Sequence, residues 1–231
     1  MKKIILLFST ILLFASCVSH KLINVNSSEI IQATQTKNVA YLEPLSFVSL
    51  IEKGNKTTPN DSLSLVSKML LDSIISNNNN FKITQKINIL DERTKETVDV
   101  ELSNIFLSVI RSNKIEGLKL TPIIDSVLKS NKQKFVLATI ATGFGRRKGN
   151  YGGQIAKAVG IGVLTLGMYA PAPIKANTTL YAIIIDTEKN EIVYFSKGIS
   201  VEKSPTEREV LEKQYKNLFD GYLYNIQQPQ Y

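Results

Sequence analysis

Phe135-Val136-Leu137-Ala138-Thr139-Ile140-Ala141-Thr142-Gly143-Phe144 is a nearly continuous apolar run of strand length. Apolar residues at both parities are how a strand covered on both faces reads, because neighbouring side chains point to opposite sides of the sheet. The run therefore predicts the central strand of a sheet with helices on two sides. Toward the C-terminus, Thr179 to Ile185 and Glu191 to Ser200 are two further runs rich in Ile, Val, Tyr and Phe. The polar stretch Asp186-Thr187-Glu188-Lys189-Asn190 between them makes a hairpin. Ser204-Pro205-Thr206-Glu207 then has capping-box spacing with proline at the first helical position. The helix it launches carries Leu211, Tyr215, Leu218 and Tyr222 on one stripe and ends near Leu223.

Toward the N-terminus, Thr121 before Pro122 opens a short helix with Ile123, Ile124, Val127 and Leu128 inward. A longer helix is predicted over Thr97 to Arg111, where Val98, Leu102, Ile105, Phe106 and Val109 keep helical spacing. Before it, Phe81, Ile83, Ile87 and Ile89 alternate with Lys82, Thr84, Lys86 and Asn88, a strand. Pro59, Asn60 and Asp61 start a helix through Ser76, with Leu63, Val66, Leu70 and Ile74 on one stripe and Met69 beside it; Asn77 to Asn80 stop it. Asn38 to Val48 is an opening strand that Pro44 confines to an edge or a bulge. The order predicts an α/β (mixed α+β) fold: a single mixed sheet of about five strands flanked by helices, with a C-terminal β-hairpin and a final helix.

The chain begins differently. Lys2 and Lys3 form a positive head, Ile4 to Phe14 is apolar, and Ala15-Ser16 are small residues before the only cysteine, Cys17. This is the three-part layout of a secretory signal. The apolar run is shorter than the about 20 residues a permanent membrane helix needs. Leu13, Ala15, Ser16 and Cys17 resemble the lipobox of bacterial lipoproteins, while Phe14 is bulkier than the usual occupant of its position. The resemblance implies cleavage before Cys17, a covalent lipid on its thiol, acylation of the new amino group with a palmitate-like chain, and a membrane-tethered protein. Val18, Ser19, His20 and Lys21 lack the acidic residues that direct surface export in some groups. The expected address is therefore the outer membrane, facing the periplasm. The organisation follows: 1–16 signal peptide, 17–37 lipidated cysteine and polar spacer, 38–223 domain, 224–231 tail.

Without the leader, 26 Lys and Arg face 20 Asp and Glu, a formal +6. That excess favours anionic surfaces such as lipid headgroups or cell-wall polymers, and nucleic acid is not an expected partner outside the cytoplasm. A single cysteine forms no internal disulfide, and the lone histidine, His20, sits in the spacer. Zinc sites built on histidine or cysteine, and a histidine general base in the domain, are disfavoured. No metal and no cofactor beyond the lipid are expected, and the chain is read as not an enzyme.

Gly143 to Pro173 is the odd stretch. Gly145, Arg146, Arg147, Lys148, Gly149, Tyr151, Gly152 and Gly153 make a basic glycine-rich loop, followed by the small apolar segment Ile155 to Tyr169 with Gly160, Gly162 and Gly167. Arg146, Arg147 and Lys148 are a candidate contact for a headgroup or polymer. Ala156 and Gly160 have the small-xxx-small spacing of close helix approach, so with Gly162 and Gly167 they mark a candidate assembly or membrane segment. The bland alternative is a solvated loop and a Gly/Ala-rich helix packed on the sheet, and it is the favoured one. The loop lacks the P-loop ending and the dinucleotide spacing.

The opening strand, the helix after Asp61, the strand Phe135 to Phe144 after a short helix, and the strands either side of Asp186 resemble the domain shared by the curli-secretion lipoproteins and the penicillin-binding-protein activator lipoproteins. The resemblance implies a non-enzymatic envelope module with an envelope protein or cell-wall partner. It also leaves open a homo-oligomeric subunit of an envelope complex or secretion channel, and, in last place, an enzyme acting on cell wall or lipid. Channel-forming members insert alternating strands of about 9 to 11 residues; Gly152 to Pro173 shows no such alternation.

Overall fold

Phe135–Arg146 forms the strand around which the sheet is built. The computed structural model describes residues 39–77, 83–112, 114–147, 149 and 173–219. Among them are seven strands in one mixed sheet: β1 (Val39–Leu42), β2 (Leu45–Ile51), β3 (Thr57–Pro59), β4 (Ile83–Ile87), β5 (Phe135–Arg146), β6 (Ala176–Asp186) and β7 (Glu191–Lys197). Four α-helices accompany them: α1 (Asp61–Ser76), α2 (Glu92–Ser112), α3 (Pro122–Ser130) and α4 (Arg208–Leu218). The mixed α/β class expected from the sequence is the class observed.

Strand β5 carries the alternation that its composition required. Val136, Ala138 and Ile140 enter one core with α2 and α3, whose Val98, Leu102, Phe106, Val109, Ile124 and Leu128 are buried there. Phe135, Leu137 and Ala141 enter a second core with Leu71, Ile74 and Ile75 of α1 and Leu211, Tyr215 and Leu218 of α4. On one side β5 pairs antiparallel with β6, which pairs antiparallel with β7, so the hairpin completes that half of the sheet.

On its other side β5 pairs in parallel with β1 and then with β2, end to end. Val39 lies opposite Phe135, but Leu45 lies opposite Ile140, so one residue is inserted at Glu43-Pro44. That is a bulge, one of the two places proline was expected to sit, since it has no N–H to give the ladder. The predicted opening strand is thereby split in two. β4 flanks its first half in parallel and β3 its second half antiparallel. Seven strands thus occupy five side-by-side tracks, which reconciles the count with the sequence expectation of about five.

Two details of facing are corrected. The β1–β4 register shifts between Val39 and Tyr41, so Ile83 packs toward the α1 core and Ile87 toward the α2 core rather than on one face. In α1 the buried residues are Ser67, Leu71, Ile74 and Ile75, while Val66 and Met69 are exposed. Val48 N–H donates to Ser64 Oγ at 2.9 Å, which sets Ser64 toward β2, and Ser67 on the next turn is fully buried. Helix starts also differ. α2 begins at Glu92 because Asp91 accepts hydrogen bonds from Thr94 N–H and Oγ. α4 begins at Arg208, the Ser204 to Glu207 segment forming a turn instead.

Candidate functional site

The end of β5 is where the predicted basic loop begins. Arg146 Nε donates to the Ile174 carbonyl at 2.5 Å and its Nη1 to Asn55 Oδ1 at 2.8 Å. One guanidinium so ties the β2–β3 turn to the entry of β6, a use of arginine's planar fork. Arg146 thus positions these two segments against each other. Arg147 is exposed, held by its backbone N–H to the Ile51 carbonyl, and its guanidinium stands 4.0 Å from Glu52. The structure brings Lys53, Lys56 and Lys175 to the same end of the sheet, all exposed. Lys148, Ala156, Gly160, Gly162, Gly167 and Cys17 lie outside the described residues.

A second feature was not read from the sequence. The bulge at Glu43-Pro44 sets Glu43 just beyond β1, beside the end of parallel β4, and the C-terminal ends of parallel strands are where α/β sheets present crevices. An open cleft of about 150 Å3 lies here, lined by Leu42, Glu43, Lys86, Ile87, Asn88, Ile89, Lys95 and Asp99. Its charges are mutually engaged. Glu43 receives Lys68 of α1 at 2.6 Å, Lys86 of β4 at 3.1 Å and Lys95 of α2 at 3.2 Å. Lys86 also pairs with Asp72 at 3.0 Å, and Lys95 with Asp99 at 2.9 Å.

The titration behaviour follows the geometry. Burial pushes the Glu43 carboxyl up, but hydrogen bonds from Lys68, Lys86 and Lys95 outweigh it and hold it at about 2. Burial pushes the Lys86 ammonium down, and its bonds to Asp72 and Glu43 outweigh that and raise it. Lys95 is raised in the same way by Asp99 and Glu43. Three carboxylates and three ammoniums thus compensate one another, and Glu43, Lys86 and Lys95 are held in their charged forms at neutral pH. Such a cluster clamps elements together; a general acid or base needs a group poised near the working pH. Only the Lys95/Asp99 and Lys68/Asp72 spacings, four residues apart on helices, were visible in the sequence.

The third feature is the outer face of α1, where Leu65, Val66 and Met69 are 56%, 44% and 63% exposed. Among the described residues, no His/Cys/Asp/Glu group is arranged to hold a metal, and no helix is long and apolar enough to cross a membrane.

No family model matches the chain, and neither does any curated protein sequence. Solved structures do. The PelC dodecamer from Paraburkholderia phytofirmans aligns over 89% of this chain and 97% of its own, at 6% identity and a TM-score of 0.41. The LpoB C-terminal domain from Salmonella enterica aligns over 77% and 96%, at 11% identity and 0.29. Its Escherichia coli counterpart aligns over 77% and 96%, at 12% and 0.28. At these identities and TM-scores the likeness is loose.

Proposed function

We propose that this protein is an outer-membrane lipoprotein of the periplasmic face whose domain is a non-enzymatic binding or assembly module of the cell envelope. The observation that carries the proposal is Cys17, the sole cysteine, placed directly after a positive head, an apolar run and the small residues Ala15-Ser16. Acyl chains on that residue confine the domain to a leaflet, and confinement raises the effective concentration of a weak partner without any new contact. The domain suits that role. Both faces of its sheet are packed by helices around β5, and its cleft is occupied by a compensated ion cluster. Recognition then falls to exposed surface, of which the outer face of α1 and the basic end of β5 are the two distinctive parts.

The test is metabolic labelling with palmitate in cells making the wild-type chain or Cys17→Ala. The wild type should take up label and fractionate with membranes, and the variant should do neither. Label on the variant, or its persistence in membranes, removes the proposal. In-cell crosslinking from Leu65 and Met69 then identifies what the tethered domain touches.

A further inference from the structure

Around the Glu43 cluster each lysine has a carboxylate partner. Lys119 pairs with Glu191, Lys129 with Asp125, Lys134 with Glu188 and Arg208 with Glu212. At the far end of β5 cations from three segments meet. The β2–β3 turn brings Lys53 and Lys56, the end of β5 brings Arg146 and Arg147, and the entry of β6 brings Lys175. Backbone and side-chain bonds hold these three segments together: Arg147 N–H to the Ile51 carbonyl, Glu52 N–H to the Lys56 carbonyl, and the two bonds of Arg146. Among the described residues of these three segments, five cations accompany one acid, Glu52. Ile174, 37% exposed, lies among them.

Resting on the tethered reading, we propose that this end of the sheet is a docking surface for the anionic phospholipid headgroups of the leaflet that holds the anchor. The charges fit that occupant, because cations near an anionic bilayer act additively and without a shaped pocket, each contributing about fivefold to partitioning. Ile174 supplies an apolar atom group at the depth where headgroups give way to acyl chain. The reach is sufficient. Val39, where the described chain starts, sits at the opposite end of the sheet, opposite Phe135, about 36 Å from Arg146 at strand rise. The 22 residue steps from Cys17 to Val39 reach at most about 79 Å when fully extended, about twice that distance. The two bonds of Arg146 hold the β2–β3 turn and the entry of β6 together before any headgroup is met.

The test uses the mature chain from residue 17 carrying Cys17→Ala, so that no acyl chain masks the weaker contact, in sedimentation with vesicles of phosphatidylcholine alone or with added phosphatidylglycerol. Binding is expected only with phosphatidylglycerol, and added salt should release it. Lys53→Ser, Lys56→Ser, Arg147→Ser and Lys175→Ser together should weaken it more than a hundredfold, at about fivefold per charge. A charge-matched control, Arg93→Ser, Lys114→Ser, Lys213→Ser and Lys216→Ser, should weaken it less than tenfold. Circular dichroism checks that both variants keep the fold. Absence of binding to phosphatidylglycerol vesicles overturns the inference, and so does a control that costs as much as the patch. Acylation is read separately by palmitate label, so a failure of vesicle binding leaves the tether standing, and a failure of labelling removes the tether alone.

Discussion

Glu43 shows how much one residue at a bulge organises. Its carboxyl is held at about 2, below its ordinary value of 4.5, so the folded state gains stability that is fully present above that ordinary value. The gain is lost as pH falls through the window from 4.5 to about 2. The side chain is about one-third exposed, and solvent screening holds its worth to about 1–2 kcal/mol. Glu43→Gln should therefore lower urea-unfolding stability by about that amount at pH 7. The difference from wild type should close as the pH approaches 2, and a pH-independent difference would count against the ion cluster as its source. Gly143 is a second case. A Cβ there would meet the Asn177 carbonyl oxygen at 2.1 Å, and backbone cannot swing aside as a side chain can. Gly143→Ala should destabilise by about 3 kcal/mol, read by urea titration, with loss of amide protection along the β5–β6 ladder. In the sequence Gly143 is one residue of the central apolar run and the start of the odd stretch that follows, with no sign of the contact, because the close approach comes from a strand more than thirty residues away.

At the scale of elements, the helices that match their sequence stripes are those whose inward positions are all apolar. α2 buries Val98, Leu102, Ile105, Phe106 and Val109, the five residues its spacing selected. α1 departs because Ser64, bonded to Val48, and the buried Ser67 take inward positions. α4 departs through Gln214, which is buried to 3% exposure. Its Oε1 accepts from Leu180 N–H and its Nε2 donates to the Thr178 carbonyl, each at 2.9 Å. It satisfies the β6 backbone near the point where β7 ends, work normally left to another strand. A polar residue in that register looks like the helix's solvent face, so periodicity alone misplaces it. Gln214→Leu keeps the volume and removes both bonds, leaving a buried N–H and C=O unmade. The expected cost is about 2–3 kcal/mol, with faster amide exchange at Leu180 measured by NMR. Unchanged exchange would show that water replaces the amide.

At the scale of the whole molecule, the two cores touch different helices but share one strand. Neighbours in β5 divide between them, Val136 with Phe106 and Ile124 on one face, Leu137 with Leu71 and Leu211 on the other. This division was legible in Phe135 to Phe144 because burial on both faces leaves no polar parity. The ion cluster was not legible, and of the basic end only Arg146 and Arg147 were, since each assembles residues from three or four separate elements. A sheet that is the common wall of both cores couples them: losing one face exposes the backbone ladder that the other needs. Phe106→Ala and Leu137→Ala, fully buried on opposite faces, should each cost about 3–4 kcal/mol. Both should leave unfolding as a single transition in which far-ultraviolet circular dichroism and tyrosine fluorescence coincide, tyrosine being the available probe in a chain with 9 tyrosines and no tryptophan. Independent cores would instead give Phe106→Ala a two-step curve, the α2 and α3 face melting first while the tyrosines packed with α4 keep their native signal. A domain that unfolds as one body also keeps the Arg146-bound basic end in shape for as long as any of the sheet survives, because Arg146 terminates the same β5 that both cores hold.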